Sequence, residues 1–134
     1  IAGDYLPGDG EPYMSDAQLD YYRRLLQEWK KLILSAAQDT LQSLQDGPIR
    51  EPDLNDRASS ETDWGIELRT RDRQRKLIAK IDSALRRIEE GEYGYCEVTG
   101  EPIGLGRLSA RPIATMTVEA QEAHERREKI SRDD

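Results

Sequence analysis

Two aspartates three residues apart, Asp53 and Asp56, stand in a short acidic run, Ile49 to Ala58, that also holds the helix-breaking Pro52. A carboxylate pair beside a turn has two uses. It can cap the helix that follows, as aspartate does well. It can also present negative charge to a metal site or a mobile loop of a partner. The two readings are compatible.

A second group is basic. Arg69, Arg71, Arg73, Arg75, Lys76 and Lys80 crowd one stretch of a chain whose formal charge is −7. Such runs are usually a solvated helix face. Arg73, Lys76 and Lys80 share one side at spacings of three and four, however, and that face could hold phosphates or an acidic protein rim. The third group surrounds the only cysteine. Cys96-Glu97-Val98-Thr99-Gly100 has the outline of a zinc knuckle, but Thr99 stands where a second sulfur belongs. Thr117 and Ala120 have the spacing of the other pair. One thiolate cannot build a four-ligand site, so Cys96 reads as a semi-buried structural thiol. His124, the only histidine, reads as a solvated helix residue.

The elements that position these groups are helical. Leu19, Tyr22, Leu26, Trp29, Ile33, Ala36 and Thr40 step by three and four, a heptad seam begun by Ser15 and Gln18 as a reciprocal cap. The seam stops near Asp46-Gly47-Pro48. About 30 residues at about 1.5 Å each make a rod of roughly 45 Å. A second rod is expected from Asp56 or Ser59 to about Glu90, with Leu77, Ile81, Ala84 and Ile88 as its seam. Toward the turn only Trp64, Ile66 and Leu68 are apolar, and Gly65 weakens the helix. The hairpin should therefore be better held at its base than near the turn. Glu67–Arg71 and Asp72–Lys76 are expected as pairs four apart on the exposed face. Residues 92–115 read as compact and turn-rich, and Thr117 caps a last helix that frays after Ile130.

The fold class expected is mainly α: a long antiparallel two-helix coiled-coil hairpin with a small globular end. The hairpin covers residues 15–91 with its tip at 47–58. An irregular N-terminal arm, 1–14, packs on the globular end, 92–134. The chain is 134 residues long, 36% apolar and 35% charged, which suits an elongated helical protein rather than a large round core. The acidic balance argues against a nucleic-acid coat or a membrane-surface protein. No apolar run approaches the ~20 residues of a membrane span. A single cysteine excludes an internal disulfide and is compatible with a reducing cytoplasm. The chain opens without a methionine.

These stretches together resemble the DksA family of bacterial transcription factors that act on RNA polymerase. The likeness runs from Tyr13 to Lys129. It is carried by Tyr13-Met14, Ala17-Gln18-Leu19, Asp53 through Ala58, Glu67-Leu68-Arg69, Asp72-Arg73, Arg75 through Ile78 and Lys80-Ile81. Tyr93 through Glu97, Glu101 through Gly104, Arg107-Leu108 and Ala110-Arg111-Pro112 complete it. The resemblance implies a hairpin that enters the polymerase secondary channel, with the alarmone ppGpp bound between factor and polymerase. It implies a non-enzyme, monomeric and cytoplasmic, without membrane contact or direct sequence-specific DNA binding.

By the same resemblance the tip residues acting near the polymerase active centre are Asp53, Asp56 and Ala58. The alarmone side falls on Leu77, Lys80 and Arg111, with Arg73 and Lys76 on the same surface. A family lysine of that side is replaced by Gln121. The four zinc cysteines fall on Cys96, Thr99, Thr117 and Ala120, as in the family's zinc-free Cys-x-x-Thr, Thr-x-x-Ala subgroup. Tyr93, Tyr95, Val98, Ile103, Leu105, Leu108 and Ile113 are then expected to supply the packing that replaces the metal. Two other functions use similar features: a transcript-cleavage factor working through the same channel, and a redox-sensing adaptor built on Cys96.

Overall fold

The computed structural model describes residues 5–46 and 54–133, with side chains for all of these except 40, 43–46, 54–60 and 132–133. Four helices follow in order: α1 (Asp16–Asp46), α2 (Leu54–Glu90), α3 (Leu105–Ala110) and α4 (Val118–Asp133). An isolated antiparallel bridge joins Tyr95 and Pro102. The fold is mainly helical, and α1 and α2 make the antiparallel hairpin that the heptad seam requires. Near its base Arg23 of α1 lies 3.5 Å from Glu89 of α2.

The start of α1 is fixed by the two residues expected to cap it. Gln18 donates its backbone N–H to Ser15 Oγ at 3.2 Å, and its side-chain oxygen accepts from the Met14 N–H at 2.6 Å. The return bond thus reaches one residue before Ser15, where Met14 takes the left-handed φ of 55°. Gln18 is fully buried and spends its remaining amide N–H on the Gly8 carbonyl at 3.2 Å. At the far end of the hairpin sequence, α2 stops at Gly91, whose φ of 76° suits the residue that follows a helix. Glu92 and Tyr93 both return their N–H groups to the Arg87 carbonyl there.

Three expectations need correction. Helix α2 begins at Leu54, not at Asp56 or Ser59, because the first turn of a helix welcomes acids. Asp56 and Ala58 are therefore inside the helix rather than in the loop. Helix α4 continues to Asp133 rather than fraying after Ile130. Helix α3 was not foreseen: six residues between glycines and a proline carry no readable period.

The chain divides into two compact units. One combines residues 1–26 with 82–134, the other is 27–81. The first holds most of the core: Tyr22, Leu26, Ala84, Ile88, Tyr93, Cys96, Ile103, Leu108, Ala114 and Ala120 are buried. Complete burial of Leu26 and of Leu108 contributes about 1.5–3 kcal/mol each. Tyr22 and Tyr93 meet with ring centroids 5.6 Å apart, and Tyr21 packs edge-on to Tyr22 at 5.2 Å. In the second unit only Ile33 and Ile81 are buried among the described apolar side chains.

Candidate functional site

The basic face lies on α2 within residues 27–81. Arg73, Lys76 and Lys80 are exposed there, and Leu77 is half-buried beside them. Arg73 donates to Thr70 Oγ1 at 3.2 Å, which steadies the guanidinium along the helix. Asp72 and Lys76 form the expected pair at 3.2 Å. At this exposure such a pair contributes about 0–1 kcal/mol, so Lys76 remains available to a competing anion. The Glu67–Arg71 pair is not made. Glu67 instead turns one carboxylate oxygen inward, where it has no hydrogen-bond partner.

Arg111 and Gln121 belong to the other unit. The exposed Arg111 ends α3, its N–H bonded to the Arg107 carbonyl at 2.7 Å. Gln121 donates its side-chain amide to Glu125 at 3.1 Å. Asp53 lies outside the described residues. Asp56 and Ala58 are known through their helical backbone alone.

The knuckle around Cys96 is built by backbone bonds. Cys96 N–H donates to the Glu101 carbonyl at 2.8 Å, Gly100 N–H to the Cys96 carbonyl at 2.9 Å, and Glu97 N–H to the Thr115 carbonyl at 2.8 Å. Thr117 caps α4 as expected, accepting the Ala120 N–H at 3.1 Å. Cys96, Thr117 and Ala120 are buried together, and Thr99 reaches the sulfur from the exposed side. Burial alone would push the Cys96 thiol up. The Thr99 hydroxyl and the N–H groups of Thr117, Thr99 and Val98 overcome that and bring it down to about 7. His124 is half-exposed and lies 3.0 Å from Glu128, as a solvated helix residue would.

A thiol lowered in the folded chain stabilises it above the ordinary cysteine range, and that stabilisation is lost as pH falls through 7. Thermal stability should therefore rise from pH 7 to pH 9, and Cys96→Ser should flatten the rise. The thiolate absorbance in the ultraviolet should titrate with a midpoint near 7. A midpoint at the ordinary thiol value would mean that the N–H groups do not converge on the sulfur.

The packing expected in place of metal is present with one exception. Tyr93, Ile103 and Leu108 are buried, and Tyr95, Leu105 and Ile113 are half-buried. Val98 is 59% exposed, because the turn at 97–100 points its side chain outward. Hydrogen bonds not foreseen add a set of polar clamps. Tyr13 Oη donates to the Gly94 carbonyl at 2.6 Å and accepts the Gly104 N–H at 2.9 Å. Tyr93 Oη donates to the Pro112 carbonyl at 2.8 Å, and Tyr22 Oη meets Ser109 Oγ at 3.1 Å. Arg87 donates to the Tyr95 carbonyl and Arg107 to the Met116 carbonyl, both at 2.8 Å. The readable signal was composition: six tyrosines and no phenylalanine. A chain whose buried rings are tyrosines, Tyr22 and Tyr93, has hydroxyls to place.

The family model described as the N-terminal domain of DnaK suppressor protein DksA matches residues 18–88, more than half of the chain. The chain belongs to the DksA family. A second DksA-related model, the prokaryotic dksA/traR C4-type zinc finger, matches residues 91–126. The RNA polymerase-binding transcription factor DksA of Caulobacter vibrioides is 63% identical over 131 residues, covering 98% of this chain and 92% of that protein. DksA of Escherichia coli K12 is 42% identical, covering 96% and 87%. Among solved structures, transcription factor DksA2 from Pseudomonas aeruginosa superposes with a TM-score of 0.81 at 41% identity, covering 90% of this chain and 95% of that one.

The C4 match fits a zinc finger in outline but not in donors. A C4 finger is named for four cysteines, and this chain has one, Cys96. Among the described residues no three His, Cys, Asp or Glu side chains converge on a point that could hold a metal. One cysteine cannot supply a four-thiolate site.

Proposed function

We propose that this DksA-family chain is a non-enzymatic regulator of transcription initiation that binds RNA polymerase through its secondary channel. The observation that carries this reading is 63% identity, across nearly the whole chain, to a protein named for polymerase binding. The hairpin brings Asp53, Asp56 and Ala58 near the polymerase active centre. The α2 face of Arg73, Lys76, Leu77 and Lys80, with Arg111, holds the channel rim and ppGpp. Gln121 replaces a lysine of that surface, and a neutral amide cannot contribute its charge, so alarmone affinity is lower than in lysine-bearing relatives. The factor inhibits promoters of the ribosomal RNA type and activates some biosynthetic ones during the stringent response. It acts as a monomer in the cytoplasm, without sequence-specific DNA contacts. Among the described residues no helix is long and apolar enough to cross a membrane.

The globular end works without structural zinc. A zinc in a small isolated finger contributes on the order of 10 kcal/mol; here the tyrosine clamps and the buried Tyr93, Ile103 and Leu108 take its place. The test is transcription from a ribosomal promoter by purified polymerase, with and without ppGpp, in the presence of a chelator. Repression that deepens with ppGpp and ignores the chelator is expected. Unchanged transcript yield would overturn the regulator, and loss of folding in chelator would overturn the metal-free end alone. RNA cleavage in stalled complexes would instead indicate a transcript-cleavage factor.

A further inference from the structure

The seam of α2 changes character along its length. Counting back from Ile88 by fours and threes gives Ala84, Ile81 and Leu77, then Gln74, Thr70 and Glu67. The last three positions of this series would be apolar in a stable coiled coil. Gln74 Oε1 and Glu67 Oε2 are both buried and both lack a hydrogen-bond partner. Thr70 returns its hydroxyl to the Ile66 carbonyl of its own helix at 3.0 Å and so adds nothing across the seam. On α1 the corresponding run past Ile33 begins with the exposed Ala36.

Apolar groups of the same stretch lie outside. Leu34, Leu41, Trp64, Ile66 and Leu68 are all exposed. Ile66 and Leu68 flank Glu67 in sequence, yet it is a carboxylate oxygen of Glu67 that is enclosed. The few apolar side chains available toward the turn, Trp64, Ile66 and Leu68, thus do not enter the seam. Closing these heptads removes two acceptors from water without pairing them and hides little apolar surface in return.

We infer that residues 34–46 and 61–76 form a separately opening segment, which unzips from its partner helix while Ile33 and Ile81 stay closed. Local opening of this kind is set by how little is buried, not by helix propensity. The segment's polar seam is a conformational device: it lets the two helices part and re-form without unfolding the rest. The inference does not depend on the partner proposed above.

Hydrogen exchange of the full chain, read by peptide mass, tests it. Amides in 61–76 should exchange about tenfold or more faster than those in 82–90. Glu67→Leu with Gln74→Leu should slow exchange in 61–76 by about tenfold or more and leave 82–90 unchanged. Measurement at two protein concentrations excludes slowing by self-association. The single variant Gln74→Leu provides a milder case should the double variant misfold, and its slowing should be smaller but confined to the same residues. Uniform protection along α2 in the parent chain, or unaltered exchange in the folded variants, would overturn the inference.

Discussion

Changing Asp53 and Asp56 together to Asn should leave polymerase binding nearly intact and remove most of the effect on short-lived promoter complexes. The substitution keeps shape and hydrogen-bonding capacity and deletes two charges. A charge about 4 Å from a cation interacts by roughly 1–4 kcal/mol, depending on how wet the site is. A tenfold loss in rate or occupancy needs only about 1.4 kcal/mol, so either carboxylate could account for it. Binding depends instead on the α2 face and the globular end in the proposed arrangement. Filter or fluorescence binding measured beside promoter-complex lifetime separates the two. Equal losses in both would assign the aspartates to adhesion, and full activity would remove them from the mechanism. Helix α2 starts at Leu54, so Asp56 stands in a first turn. Asn is also tolerated there, which guards against a folding artefact.

The largest effect on stability is expected from Tyr93→Ala. Tyr93 is 2% exposed, packs on Tyr22 and bonds the Pro112 carbonyl. Truncating a buried aromatic ring costs about 3–5 kcal/mol, a large part of the total for a domain of this size. Tyr93→Phe keeps the ring and abandons the Pro112 carbonyl, at about 1–3 kcal/mol if no water replaces the bond. Denaturant unfolding of the two variants gives the share carried by the hydroxyl. If Tyr93→Phe is neutral, ring packing alone holds that turn, and the clamp at Pro112 is decorative. Burial pushes the Tyr93 hydroxyl well above the ordinary tyrosine range, so at neutral pH it is a protonated donor.

Much of the fold was legible because it is written in local rules. Ser15 with Gln18, the α1 seam through Tyr22 and Leu26, Gly91 after α2 and Thr117 before α4 all act over one or two turns. Helix α3 was missed because Leu105–Ala110 is too short to show a period, and its one buried side chain, Leu108, answers to tertiary packing. The tyrosine clamps were missed for a different reason. Tyr13 reaches carbonyl and amide groups 81 and 91 positions away, and no spacing rule connects them. The seam toward the turn was legible as weak, but not which residues face inward there: the heptad count from Ile81 selects Gln74 and Glu67, and the apolar Ile66 and Leu68 lie outside. The candidate site was legible as residue types; Asp53, lying outside the described residues, remains a sequence assignment.

One unit combines residues 1–26 with 82–134, and the other is the uninterrupted 27–81. During synthesis Tyr13 leaves the ribosome well before Gly94, Gly104, Ser109 and Pro112 are made. The hairpin segment can therefore pair its helices early, because its contacts are closer in sequence, whereas Tyr13 and Tyr22 must wait until residues 94–112 have been made. A nascent chain halted before Pro112 would carry exposed aromatic rings with nothing to hold, and such species attract chaperones and proteases. Quality control for this protein is thus concentrated in the interval between completion of the hairpin and the appearance of Pro112.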